Sequence, residues 1–332
     1  MRISWRPSAL GIAAAVLAAA TSLTGLTGPA AAAQTLKWAH VYETGSPYHK
    51  WAEWAAEEVK KRSGGRFEVE VFPASSLGKE VDINEGLTLG TVDIIYTGQL
   101  FAGRSYGPIA IGGSPYMFRD FQHWAAYRDS GLFQEMVEGY RDATGNEVIT
   151  LTYYGQRHVT SNKAIEVPDD MKNLKIRVPN APLYKMFPDA VGANPTPIAF
   201  AEVYLALQQG VVDAQENPLP TIQFKKFYEV QDYITLTGHI TDALMTIVSG
   251  STWNGLSDED KAMLAGVLKE AAKNCTDDII AAESNLVDWF RGQGKTVNEV
   301  DRAAFRAAVV PLHNGPAATW DQATYDKLQA IR

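Results

Sequence analysis

Apolar and polar positions alternate between two periods along the first third of the chain. Leu36-Lys37-Trp38-Ala39-His40 reads as a short strand. Ser46-Pro47 then opens a helix, with serine as the cap and proline at the first helical position. Tyr48, Trp51, Ala55 and Val59 fall on one face of it at helical spacing, and Gly64-Gly65 ends it. Phe67-Glu68-Val69-Glu70-Val71 alternates with period two and stops at Pro73. A helix over about Lys79 to Leu89 follows, then a strand Val92-Asp93-Ile94-Ile95-Tyr96 that ends at Thr97-Gly98.

The second half repeats this order. Leu174-Lys175-Ile176-Arg177-Val178 is a strand before Pro179, a helix runs from about Phe200 to Gln209, and Val211-Val212-Asp213-Ala214-Gln215 is a strand ending at Glu216-Asn217-Pro218. Leu87, Gly90, Val92 and Asp93 match Leu207, Gly210, Val212 and Asp213 at a constant offset of 120. The shared order around these identities predicts a structural repeat. Alternating strands and helices predict parallel sheets covered on both faces, with ligands beyond the carboxyl ends of the strands. Thr97-Gly98 and Glu216-Asn217 are two such ends, so two lobes facing each other would enclose a cleft. After about Thr241 the chain reads as mostly helical, and Ser257-Asp258-Glu259-Asp260 caps a long helix with an acidic first turn.

At 332 residues the chain is long enough for two lobes. Its net charge of −8 argues against nucleic acid as a partner, since a phosphate backbone needs a basic surface. A small anion remains open, because local arginines decide its binding once salt screens the global field. The N-terminus reads as a secretory signal peptide over residues 1–33. Arg2 and Arg6 precede an apolar run, Ala9 to Ala20, too short to span a membrane, and Ala31-Ala32-Ala33 offers a cleavage site. Cys275 is the only cysteine; with no disulfide available it reads as a packing residue in a helix over Leu264 to Ile280.

Enzyme signatures are missing: there is no Gly-x-Ser-x-Gly elbow, His-Glu-x-x-His or phosphate loop. The six histidines are dispersed. His40 and Glu43 alone do not make a metal site, and no metal or cofactor is expected. Arg177 stands out because it sits between Ile176 and Val178. Either it faces solvent or an ion-pair partner, or its planar fork takes a ligand carboxylate. Arg157 follows Tyr153-Tyr154-Gly155-Gln156 at another strand end and, taken alone, reads as a surface residue. Asn217 is either a turn residue or a polar reader, and Phe200, Trp51, Trp54, Tyr153 and Tyr154 read as core.

Three runs carry a resemblance. Gly65-Arg66-Phe67-Glu68-Val69-Glu70-Val71-Phe72-Pro73, Lys175-Ile176-Arg177-Val178-Pro179, and Gly192-Ala193-Asn194-Pro195-Thr196-Pro197 through Val211-Val212-Asp213-Ala214-Gln215-Glu216-Asn217-Pro218 resemble the DctP-type substrate-binding proteins of TRAP transporters, over about Leu36 to Ile331. The resemblance implies an α/β, two-lobe periplasmic-binding-protein fold with parallel-rich sheets flanked by helices and long helices spanning the lobes. It implies a first lobe over 34–154 with a return segment and connecting helix at 243–282, and a second lobe over 155–242 with C-terminal helices at 283–332. It implies a monomeric periplasmic protein, not an enzyme, that hands a small organic acid to the small and large membrane subunits of a permease. Arg177 matches the family's selectivity arginine, Arg157 a second arginine on the same ligand, Asn217 the cleft asparagine and Phe200 a pocket wall. His40, His239, Glu80, Thr97 and Gln99 are implied around them. With Tyr154 and Asn180, these donors and acceptors favour a sugar acid such as a uronate or sialic acid, ahead of a C4-dicarboxylate or keto acid. An exported hydrolase or lyase acting on small acids is the rival class, and it would need an acid–base pair in the cleft.

Overall fold

The computed structural model describes residues 33–332; of the signal peptide expected over residues 1–33, all but Ala33 lies outside the described residues. Among the described residues nine strands form one sheet: β1 (Gln34–Ala39), β2 (Phe67–Phe72), β3 (Ile94–Gly98), β4 (Glu147–Ser161), β5 (Lys175–Val178), β6 (Asn194–Pro197), β7 (Ala214–Pro218), β8 (Tyr233–Val248) and β9 (Thr296–Asn298). Their order is β2-β1-β3-β8-β4-β7-β5-β6, with β9 added beside β8.

The order is nearly symmetrical. In each half a central strand (β1, β5) is flanked in parallel by an outer strand (β2, β6) and an inner one (β3, β7). The offset of 120 holds in space: β3 spans Ile94–Gly98 and β7 Ala214–Pro218. The helix before β3 begins at Glu80 and the helical turn before β7 begins at Phe200. Both helical segments turn off at a left-handed glycine, Gly90 with φ 71° and Gly210 with φ 69°.

The sheet is parallel-rich, with antiparallel pairs at its centre that the alternation of strands and helices did not predict. β3, β4, β7 and β8 meet in antiparallel pairs. β4 and β8, of 15 and 16 residues, run through both halves, so two sheets become one continuous sheet. The helical reading after Thr241 is displaced for the same reason, since β8 continues to Val248 before the helices resume. The β4–β8 register shifts at Tyr153/Gly155 and at Arg157/Val159, so the two halves join at an irregular crossing.

Helices close the rest. Ser46 caps Pro47–Arg62 by accepting from the His49 N–H, and the basic last turn suits the helix dipole. The helix Asp258–Gly292, capped by Ser257, runs 35 residues behind both halves. Cys275 on it is fully buried, which pushes its thiol pKa up and makes it the packing residue expected. Glu283 pins the helix to the crossing, accepting from the Gln156 N–H at 2.7 Å and the Tyr153 hydroxyl at 2.9 Å. Residues 302–309 pack on the second half, where Arg302 donates to the Leu236 carbonyl. The last helix returns to the first half, where Gln329 donates to the Met117 carbonyl and Lys327 pairs with Glu135. The C-terminal residues expected on the second lobe alone thus also clamp the first.

Gly155 occupies the crossing with φ 122°, and a Cβ there would lie 2.7 Å from the Pro218 ring and 2.8 Å from Glu283 Oε1. Gly155→Ala is therefore expected to destabilise the fold by roughly 2–4 kcal/mol through backbone strain and overlap, read as a lowered urea midpoint. An unchanged midpoint would show that the crossing relaxes freely.

Candidate functional site

The carboxyl ends of β1, β3, β5 and β7 point toward the crossing of β4 and β8 from opposite sides. A cavity lies between them, lined by Tyr42, Glu80, Phe101, Tyr154, Arg157, Arg177, Tyr184, Phe200, Asn217 and Asp242 among others. A second space shares Glu80, Phe101, Arg177 and Phe200 and reaches the rim at Lys79 and Asn180. Contacts bridge the two halves at the mouth: Lys79 pairs with Glu202 at 2.7 Å, Lys225 with Glu43 at 2.6 Å, and Arg104 donates to the Asn180 carbonyl at 3.1 Å. This is a closed cleft.

Its two arginines differ in what holds them. Arg157 is paired at all three of its nitrogens. Its Nε donates to Glu216 Oε2, its Nη1 to Asp242 Oδ2 at 3.0 Å, and its Nη2 to Glu216 Oε1 at 2.8 Å, the Glu216 carbonyl at 2.9 Å and Asn217 Oδ1 at 3.2 Å. Behind it, His239 Nε2 contacts Glu216 Oε2 at 3.1 Å, and its Nδ1 lies 2.8 Å from the Thr237 hydroxyl. Burial lowers the His239 pKa, so the neutral ring donates through Nε2 and accepts at Nδ1. Burial opposes ionisation of Glu216, but Arg157 and His239 outweigh it and hold that carboxyl down at about 2.

Arg177 has no such partners. It is 2% exposed, its Nε donates to the Ile198 carbonyl at 2.9 Å, and its Nη1 is buried without any hydrogen-bond partner. Burial draws its pKa down to about 10, with Glu216 opposing, so it stays cationic at neutral pH. The Phe200 ring lies 5.9 Å from its guanidinium, a stacking contact that does not satisfy the N–H groups. A buried guanidinium left this way is costly, and an anion would relieve it.

Comparisons with known proteins agree with this geometry. The profile of the bacterial extracellular solute-binding proteins, family 7 (DctP), matches residues 38–318. The chain belongs to that family. Among its relatives, the sialic acid-binding periplasmic protein of Vibrio cholerae is 35% identical over 300 residues, covering 90% of this chain and 94% of that protein. Two crystal structures of TRAP periplasmic solute-binding proteins superpose closely. That from Roseobacter denitrificans, with bound L-galactonate, has TM-score 0.84 and 31% identity, covering 90% of this chain and 98% of the other. That from Polaromonas, with bound D-erythronate, has TM-score 0.85 and 31% identity, covering 90% and 99%. Family 7 proteins are binding proteins rather than enzymes, and no helix among the described residues is long and apolar enough to cross a membrane.

In this solute-binding protein the sequence-predicted residues divide into three groups. Arg177, Arg157, Asn217, Phe200, Glu80 and Tyr154 line the cavity. Thr97 and His239 stand behind it: Thr97 donates to Glu80 Oε1 at 3.1 Å, and His239 stacks on Phe187 at 4.0 Å while holding Glu216. His40 and Gln99 turn elsewhere. His40 accepts from the Tyr42 N–H and lies 3.3 Å from His49, while Gln99 is buried toward the Ile109 carbonyl and Tyr127. Glu43 pairs with Lys225, so it does not share a partner with His40.

Tyr42, Phe101, Tyr184 and Asp242 also line the cavity, and the sequence reading missed them. Asp242, a charge inside the otherwise apolar half of β8, was the legible signal among these. Asn217 is oriented by a chain of bonds. Its amide donates to Gln215 Oε1 at 2.6 Å, the Gln215 amide donates to Thr160 Oγ1 at 3.0 Å, and Tyr154 donates to Asn217 Oδ1 at 3.3 Å.

Arg157→Ala would strand Glu216 and Asp242 as buried carboxylates, so a loss of about 3–5 kcal/mol in urea unfolding is expected; a loss under about 1 kcal/mol would mean the network is slack. Because the Glu216 pKa is depressed in the fold, its contribution is present above the ordinary value of 4.5 and is lost as pH falls toward 2. Wild-type stability should therefore drop more steeply between those pH values than that of Glu216→Gln. Parallel curves would contradict the assignment.

Proposed function

We propose that this protein captures a polyhydroxylated monocarboxylic acid, a sugar acid, with Arg177 taking the carboxylate. The acid is then delivered in the periplasm to the small and large membrane subunits of a TRAP permease. The observation that carries this reading is the buried, unpartnered Nη1 of Arg177 on the wall of a closed cleft. A guanidinium has donors in a fork that fits a carboxylate with two parallel bonds.

Three further features support a hydroxylated ligand. Glu80, Asp242, Tyr154 and Asn217 give the wall more polar groups than an aliphatic acid would satisfy. Phe200, Phe101, Tyr42 and Tyr184 provide apolar faces against which a carbon backbone packs. The relatives described above bind sialic acid, L-galactonate and D-erythronate, each a carboxylic acid with several hydroxyl groups. Arg157 serves in this reading as a rigid post that aligns Asn217, its own charge already balanced by Glu216 and Asp242.

Binding and closure are linked. The cleft walls come from both halves of the sheet, so a ligand touching Arg177 and Glu80 together stabilises the closed form by its differential affinity for it.

Titration calorimetry with L-galactonate, D-erythronate and N-acetylneuraminate tests the reading. At least one acid should bind, and Arg177→Lys, which loses the fork and keeps the charge, should weaken it by about 2–4 kcal/mol. Unchanged affinity in that variant, or binding of none of these acids, would overturn it.

A further inference from the structure

The wall of the cleft holds two carboxylates, and only one of them is neutralised. Asp242 accepts from Arg157 Nη1 at 3.0 Å and from the Ala243 N–H at 2.8 Å. Glu80 has no ion-pair partner among the described residues. Its Oε1 accepts from the Gly98 N–H and the Thr97 hydroxyl, both at 3.1 Å, and Thr97 is itself held by the Asn84 amide at 2.9 Å. These bonds aim the carboxyl group, and Oε2 has no hydrogen-bond partner among the described residues. The neighbouring Lys79 does not reach back to it, because it pairs with Glu202 across the mouth. Glu80 and Arg177 line both spaces of the cleft, yet they form no ion pair with each other.

The cleft thus presents one unsatisfied cation and one unsatisfied anion, separated by the space a ligand would fill. They sit on opposite halves of the sheet, at the start of the helix before β3 and on β5. A ligand complementary to both carries an acid at one end and a hydrogen-bond donor at the other. A hydroxy acid meets that description. A dicarboxylate of the same length would press its second carboxylate against Glu80, and two carboxylates in one desolvated site do not both stay ionised without cost.

We propose that Glu80 is a charge filter: it accepts a hydrogen bond from a hydroxyl of the ligand and excludes a second carboxylate, so the protein selects polyhydroxy monoacids over dicarboxylates of equal length. This inference rests on the reading of Arg177 as the carboxylate-binding residue. It adds to that reading what makes the opposite end selective, a matter of unfavourable contacts against the wrong ligand as much as favourable ones with the right one.

The filter should respond to pH. Burial pushes the Glu80 carboxyl up to about 7; the bonds from Gly98 and Thr97 pull the other way, Asp242 adds to the rise, and Arg157 opposes it. Tyr42, Tyr154 and Tyr184, which also face it, have pKa values raised by burial and stay neutral over the same range. Arg177 stays charged. Protonating Glu80 removes its charge and lets it donate to a carboxylate. Exclusion is therefore strong above about pH 7 and relaxes below it.

The test uses L-galactonate and galactarate, which share one carbon skeleton and differ only at C6, a hydroxymethyl group against a carboxylate. Calorimetry on the mature protein at pH 8 should show galactonate preferred by at least about tenfold, with the preference shrinking severalfold at pH 6, where both acids remain ionised. In Glu80→Gln, which keeps an acceptor for Gly98 and removes the charge, the preference should fall to within about threefold and lose its pH dependence. The same preference in wild type and Glu80→Gln at both pH values would overturn the filter while leaving Arg177 in place. So would a wild-type preference that does not change with pH, which needs no variant to fold. If neither acid binds wild type, or Arg177→Lys leaves both affinities unaltered, the reading of Arg177 fails and the filter fails with it.

Discussion

The structure turns on a cation that the fold buries and does not neutralise. Arg177 is held in a strand by main-chain pairing, its Nε is tied to the Ile198 carbonyl, and Nη1 is left without a partner. Folding alone would not retain such a group, since an unpaired buried charge is among the more expensive features a core can hold. Its presence at the meeting line of two half-sheets is explained if the missing partner comes from outside. Stability is given up locally so that binding energy can be gained there.

Arg157 supplies the contrast. It is as buried as Arg177, but Glu216, Asp242 and Asn217 pair with its three nitrogens and His239 backs Glu216. One arginine organises the crossing of the two long strands and the other is left available. The division also ties the site to the fold. Arg157 lies at a register shift of β4, beside Gly155 and the Glu283 clamp, so the cavity wall is built where the halves join.

Much of the half-sheet plan was legible in the sequence. Strand–helix–strand order, the left-handed glycines and the offset of 120 are local signals, and each has a direct backbone cause. The offset even pairs Glu80 with Phe200, the two residues that open the corresponding helical segments and line the same cavity. What escaped was non-local. β4 and β8 run through both halves without a break at the midpoint, so no turn residue announces that one strand serves two layers. Arg177 stood out between Ile176 and Val178, whereas Arg157, between Gln156 and His158, read as a surface residue although it is buried inside β4; only tertiary partners show which guanidinium is paired. Gln99 and His40 show the converse error. Each follows a strand that ends at the cleft, but packing turns Gln99 toward Ile109 and His40 toward His49.

A crystal structure of the mature protein with a bound sugar acid tests the central claim most directly. The account predicts both carboxylate oxygens of the ligand within hydrogen-bonding distance of the Arg177 guanidinium, with Nη1 satisfied and the Arg157–Glu216–Asp242 network unchanged. A ligand whose carboxylate lies elsewhere, while Arg177 Nη1 keeps no partner, would contradict it.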